Sequence, residues 1–250
     1  MTKKILVLLA IVVWLAHTGT VHAEGIGIPG IDVNVTTSNN PQNVATSVQI
    51  LLLLTVLSLA PAILILMTCF TRIVVVLSFV RNALSIQQMP PNQVLIGLAL
   101  FMTLFVMTPT LSEVNEKALQ PYLAGQLSQA QAMEQAAIPF KHFMAKHTRE
   151  KDLMLFLEYR KSPIPKTVEE IPLSTLVPAY AISELKTAFQ IGFMIFIPFL
   201  IIDLVVSTTL MSMGMMMLPP VMISLPFKIL LFVMVDGWYL IVKSLLQGYQ

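Results

Sequence analysis

Hydrophobic residues along the chain gather into four long runs, at about 46–71, 92–111, 187–208 and 218–242. Each approaches the roughly twenty apolar residues that a helix needs to cross the hydrocarbon core of a bilayer. Between the second and third runs lies a polar insert, about 112–186, whose pattern reads as helices with proline-marked breaks. The Ala/Gln-rich residues 119–137 predict one helix stopping at Pro139, and 140–159 predict another. Ser162-Pro163-Ile164-Pro165 and Pro172 then mark a loop, before Pro178 and a last helix. The expectation is an all-α, membrane-associated protein. Two apolar helical hairpins, 46–111 and 187–250, flank a helical insert at 112–186.

The first run does not stop cleanly. Arg72 is followed by the mostly apolar residues 73–80 before Arg81. One helix over 46–84 would reach roughly 58 Å at 1.5 Å per residue, well past one bilayer thickness. Prolines at 61, 109, 198, 219, 220 and 226 interrupt the apolar runs. Each removes a backbone hydrogen bond, and in lipid the freed carbonyl needs a neighbour. Such helices are suited to packing within protein, so hydropathy overstates their contact with lipid.

The N-terminus reads as a secretory signal peptide over 1–23. Lys3 and Lys4 form the basic region, residues 5–16 supply an apolar stretch too short to span a bilayer, and Val21-His22-Ala23 offers a cleavage site before Glu24. An uncleaved anchor is the alternative. Residues 24–45, rich in Gly, Asn, Thr, Ser and Pro, read as a flexible extracytoplasmic arm. Cleavage would put the mature N-terminus outside, so the 72–91 loop should be cytoplasmic. That loop carries the positive residues Arg72 and Arg81 and no acid, as the positive-inside rule asks.

Composition sharpens the class. The 250 residues are 56% hydrophobic and 11% charged, against about a quarter charged in soluble domains. Fifteen Lys/Arg against thirteen Asp/Glu is too balanced for a nucleic-acid binder. Eighteen of those charges, nine of each sign, fall within 113–186, so the rest of the chain is nearly bare. A single Cys, Cys69, excludes a disulfide framework, and its apolar surroundings suit a small buried hydrophobe. His142 and His147 are five apart, a poor spacing for a shared metal, and read as solvated helix residues. No nucleophile motif, phosphate loop or cofactor signature is present, and no enzyme activity or cofactor is expected.

Charges inside the apolar runs say more, since each costs roughly 2.5–3.5 kcal/mol at a bilayer centre unless paired or hydrated. Asp203 and Lys228 are two of these. If the last two runs form a hairpin, their midpoint falls in its turn, so the pair would lie at one depth. Facing water separately at a boundary is the alternative. Asp236, beside Trp238 and Tyr239, marks a membrane edge. The sharpest local signal is Met211-Ser212-Met213-Gly214-Met215-Met216-Met217-Leu218-Pro219-Pro220, with five of the sixteen methionines in seven positions. Gly214 and the Pro pair place these thioethers at an irregular turn. Copies arranged about an axis would form a deformable apolar constriction that blocks ions by dewetting. A methionine-padded helix contact is the plainer alternative.

Glu184-Leu185-Lys186-Thr187-Ala188-Phe189-Gln190-Ile191-Gly192-Phe193, continuing through Phe196-Ile197-Pro198-Phe199-Leu200-Ile201-Ile202-Asp203 to the methionine turn, closely resembles the signature of the FliP family. These are flagellar biosynthesis proteins of the type III export gate. Thr71-Arg72-Ile73-Val74-Val75-Val76-Leu77-Ser78 with Arg81 resembles the family's other signature. The likeness runs from about residue 46 to the C-terminus, and the leader and arm favour the flagellar branch. The resemblance implies a homo-oligomeric, pentameric ring in the bacterial inner membrane at the flagellar basal body. That ring would be raised partly into the periplasm as a cone of tilted hairpins. It implies assembly with FliQ and FliR, help from FliO, and FlhA and FlhB in the wider apparatus. Unfolded flagellar subunits would cross its central channel. By resemblance the pore gasket falls on Met215, Met216 and Met217, and a charge pair between neighbouring subunits on Glu184 and Lys228. That pairing conflicts with the hairpin reading of Asp203 with Lys228. It is preferred here because a ring supplies neighbours that one chain cannot, which leaves Asp203 without an assigned partner. A small secondary transporter with broken helices and midplane charges is the alternative function.

Overall fold

A computed structural model describes residues 50–249, apart from 52, 56, 60, 61, 64, 87, 88, 162 and 216. The expected signal peptide and arm lie outside the described residues. The chain divides into two compact units, Met1–Leu57 and Ser58–Gln250. In the first unit the described residues from 50 onward are helical, and Thr55 Oγ1 donates to the Leu51 carbonyl at 2.7 Å.

In the second unit every regular element among the described residues is a helix, as expected. α1 spans Phe70–Ala83 and α2 spans Asn92–Val114. α2 continues through a π-helical turn at Asn115–Leu119 and a last turn at Gln120–Leu123. α3 is Gln129–His147, α4 is Glu150–Tyr159, α5 is Leu173–Ser212, α6 is Pro220–Met234 and α7 is Gly237–Gln247. Two helices, Asn92–Leu123 and Leu173–Ser212, are long and apolar enough to cross a membrane, and α6 with α7 makes a third if that bent pair counts as one span.

Local chemistry moves several boundaries. The single helix expected over 46–84 is broken at residues 67–69. There Thr68 Oγ1 donates to the Ile65 carbonyl at 3.2 Å and accepts the Phe70 amide, giving the backbone a local alternative to the helix ladder. Residues 72–83, the first part of the 72–91 segment between the first two apolar runs, are helical and belong to α1. In the insert the breaks fall at residues 124–128 and 148–149 rather than at Pro139, which is buried inside α3. α3 starts where it does because Ser128 and Gln131 form a capping box that satisfies two amides otherwise left without partners. Gly125, at φ +72°, supplies the reversal before it.

The overlong helix exists, but it is α5. Its 40 residues run through Pro178 and Pro198 and correspond to about 60 Å of rise. α5 is the spine: α1, α3, α4 and α6 all pack on it. Its approach to α1 needs Gly192, where a Cβ would lie 2.5 Å from the Phe79 ring. The main core joins Ile73, Val76, Leu77 and Val80 of α1 to Ala99 and Met102 of α2, with Ala188 and Phe199 of α5 beside Ile241 and Leu245 of α7. A smaller cluster of Met144, Ile171, Leu176 and Tyr180 ties the insert to the start of α5. The last apolar run, expected as one span, bends by 61° between α6 and α7. Asp236 takes a left-handed conformation there at φ +50°, and Gly237 leaves room for the Phe232 ring, which a Cβ would meet at 2.4 Å.

Candidate functional site

Three groupings of the sequence-predicted residues emerge. The first is the methionine turn between α5 and α6. Gly214 adopts φ +76°, and the Met213 amide closes on the Thr209 carbonyl, Gly214 on Met211 and Met215 on Leu210. The turn is irregular, as the Gly and Pro positions suggested. Met211, Met213, Met215 and Met217 are all exposed, Met217 at 97%, whereas Met107 and Met144 are buried in the cores. Met216 lies outside the described residues. These thioethers therefore do no packing work comparable to that of the core methionines within one chain.

The second grouping is a closed ion cluster. Glu184, in α5, is fully buried, and its carboxylate takes both arms of the Arg72 guanidinium. The Nε arm donates to Oε2 at 2.9 Å, and a hydroxyl bond from Tyr249 falls on the same oxygen. Arg72 also donates to the Gly248 carbonyl at 3.1 Å and lies over the Tyr249 ring, 4.0 Å from its centroid. Phe143 and His147 of α3 pack against that ring. Four parts of the chain meet at one bidentate pair, a geometry that satisfies most of the guanidinium donors at once. Arg72, counted from sequence as a loop cation, is thus a buried core residue. Arg81 sits on the last turn of α1 and donates to Asn92 Oδ1 at 2.5 Å.

The third grouping lies farther along the hairpin. Lys228 of α6 is buried and donates to Asp203 Oδ2 at 2.6 Å and to Ser85 Oγ at 2.7 Å. Ser224 Oγ donates to the other Asp203 oxygen at 2.6 Å. The contact that hairpin spacing suggested, Asp203 with Lys228, is present within the chain. Glu184 and Lys228 are not brought together within one chain. A pair between copies would have to draw Glu184 from Arg72 and Lys228 from Asp203.

Sequence reasoning missed Tyr249, Ser85 and Ser224. Ser224 stands four residues before Lys228, a spacing that shares a helix face and was available as a signal. Nothing local marked the other two. The two histidines also part company. His142 is half-exposed and bridges to Glu169 at 2.7 Å. His147 is not the solvated residue expected: burial, with the nearby Arg72 and Lys146 cations, pushes its pKa down to about 4.

Helices long enough to cross a bilayer, charges inside them that are paired with each other, and thioethers displayed at a turn define an all-helical membrane protein whose polar interior is spent on its own architecture. Residues 53–245 match the FliP family, and the chain belongs to that family. The flagellar biosynthetic protein FliP of Bacillus subtilis (strain 168) is 68% identical over 217 residues, covering 87% of this chain and 98% of that protein. FliP of Pectobacterium carotovorum subsp. carotovorum is 53% identical over 89% of this chain and 86% of its own length. FliP of Aquifex aeolicus (strain VF5) is 47% identical over 96% and 99% respectively.

Proposed function

We propose that this chain is a structural, non-enzymatic subunit of the flagellar protein export apparatus and forms part of its pore. Family membership supports the flagellar role. The observation that carries the pore reading is the methionine turn, whose described thioethers are exposed at the end of a helical hairpin while other methionines fill the core. Copies of the chain surround a channel in the inner membrane, partly on the periplasmic side. Met215, Met216 and Met217 of each copy line its narrowest point. A thioether is apolar enough to exclude hydrated ions and flexible enough to yield to an unfolded flagellar subunit. The ring is a pentamer that takes FliQ and FliR as partners, with FliO aiding assembly and FlhA and FlhB in the surrounding apparatus. No nucleotide-binding motif occurs in the sequence, so the driving energy comes from elsewhere. Replacing Met215, Met216 and Met217 together by Ala is expected to raise small-ion conductance of membranes carrying the assembled complex. Unchanged conductance in a complex that still assembles refutes the gasket.

A further inference from the structure

The arm that carries the methionine turn is held to the rest of the chain in an unusual way. Of the fifteen residues of α6, those buried are Ser224, Lys228 and Phe232, a single strip with four-residue spacing. Two of the three are polar and act through Asp203 and Ser85. Met222, Leu230, Val233 and Met234 are more than 60% exposed. α1, by contrast, buries five apolar side chains along its length. At one end the arm ends at the methionine turn. At the other it meets a 61° bend at Val235 and Asp236, with Asp236 left-handed.

Ser85 belongs to neither α5 nor α6. It lies in the turn after α1, at φ +58°, a conformation uncommon for a residue with a side chain. There its hydroxyl accepts from Lys228 across 143 residues of sequence. We propose that Ser85 is the strut of a releasable clasp. It positions Lys228 against Asp203, so Ser85, just after α1, holds the methionine-bearing arm closed, and the arm pivots about residues 235–236 when the strut is withdrawn. The link to sealing rests on the gasket reading above; the clasp itself does not.

The test uses the full-length chain in lipid nanodiscs with Cys69→Ser and spin labels at Met89→Cys and Met222→Cys, both exposed positions. Dilution with unlabelled chain isolates the distance within one copy. The parent is expected to give one narrow distance population. Ser85→Gly suits a positive φ and removes only the side chain, so it should add a second, longer population. Ser85→Asn tolerates the same backbone and restores an acceptor, so it should return the single population. Lys228→Met should behave like Ser85→Gly. A Ser85→Gly distribution identical to the parent overturns the clasp, and so does a broadening that Ser85→Asn fails to reverse. Conductance of the assembled complex is read separately. A leak in Ser85→Gly supports the coupling of strut to seal, while a released arm with a tight pore refutes the gasket and leaves the clasp standing.

Discussion

Two ion clusters sit in this molecule, and they solve the same electrostatic problem in opposite ways. Around Glu184 the carboxylate is wholly buried, its guanidinium partner is bidentate, and aromatic rings of α3 and the C-terminus close over the pair. Around Lys228 the ammonium is buried but the Asp203 side chain stays a quarter exposed, and the remaining contacts are serine hydroxyls. Taking a charge out of water is costly, and the cost is recovered only when every donor and acceptor is met. The first cluster comes nearer to that condition by drawing four parts of the chain together, which makes it an anchor. The second leaves the Asp203 carboxylate incompletely covered by its own chain, so opening it strands less charge inside the fold. One cluster fixes the fold and the other joins two parts that are able to separate.

The largest contrast should appear on removing one partner from each. Glu184→Gln strands the Arg72 guanidinium in the core and is expected to cost about 3–5 kcal/mol in detergent unfolding. Lys228→Met leaves a carboxylate that the chain only partly encloses and should cost about 1–3 kcal/mol. Equal losses would erase the distinction between anchor and clasp. A smaller effect isolates the C-terminal contribution. Tyr249→Phe keeps the ring against Arg72, Phe143 and His147 and loses only the hydroxyl bond to Glu184, at a cost of about 1.5 kcal/mol. No change in unfolding midpoint would mean the ring alone closes the anchor.

A separate pH dependence lies at the anchor's edge. His147 is held neutral to about pH 4 in the fold, against about 6.5 in the unfolded chain. Between those values the unfolded state binds the extra proton, so stability falls as pH drops from about 6.5 to 4 and levels below. Melting followed across that window should show the decline in the parent and lose the His147 share of it in His147→Phe. An unaltered profile in the variant would place the titration elsewhere.

Hydrophobic patterning made readable the all-α class and the two segments long and apolar enough to cross a membrane, about 92–111 and 187–208, because apolar runs of that length have few other uses. Boundaries were less readable, for reasons visible at individual residues. Pro139 looked like a stop, yet a helix that packs its proline in a core absorbs the lost hydrogen bond, while the Ser128 and Gln131 capping box set the true start. Asp236-Gly237 is a turn dipeptide embedded in an apolar run, and composition averaged over the run concealed the bend. The methionine turn could be located from Gly214 and Pro219-Pro220 alone. Partner choice was hardest. Hairpin spacing pointed to Asp203 for Lys228, whereas the bonds of Tyr249 to Glu184 and of Ser85 to Lys228 cross 65 and 143 residues and leave no local trace.

The length of α5 bears on whether the chain stands alone. Its 40 residues extend about 60 Å, twice the hydrocarbon thickness of roughly 30 Å. Large apolar side chains stand exposed along both halves, from Ile182 and Phe189 to Leu204 and Met211. An upright solitary copy finds lipid for only half of that surface. The other half is left for contact with protein, so this helix suits an assembly better than a solitary copy.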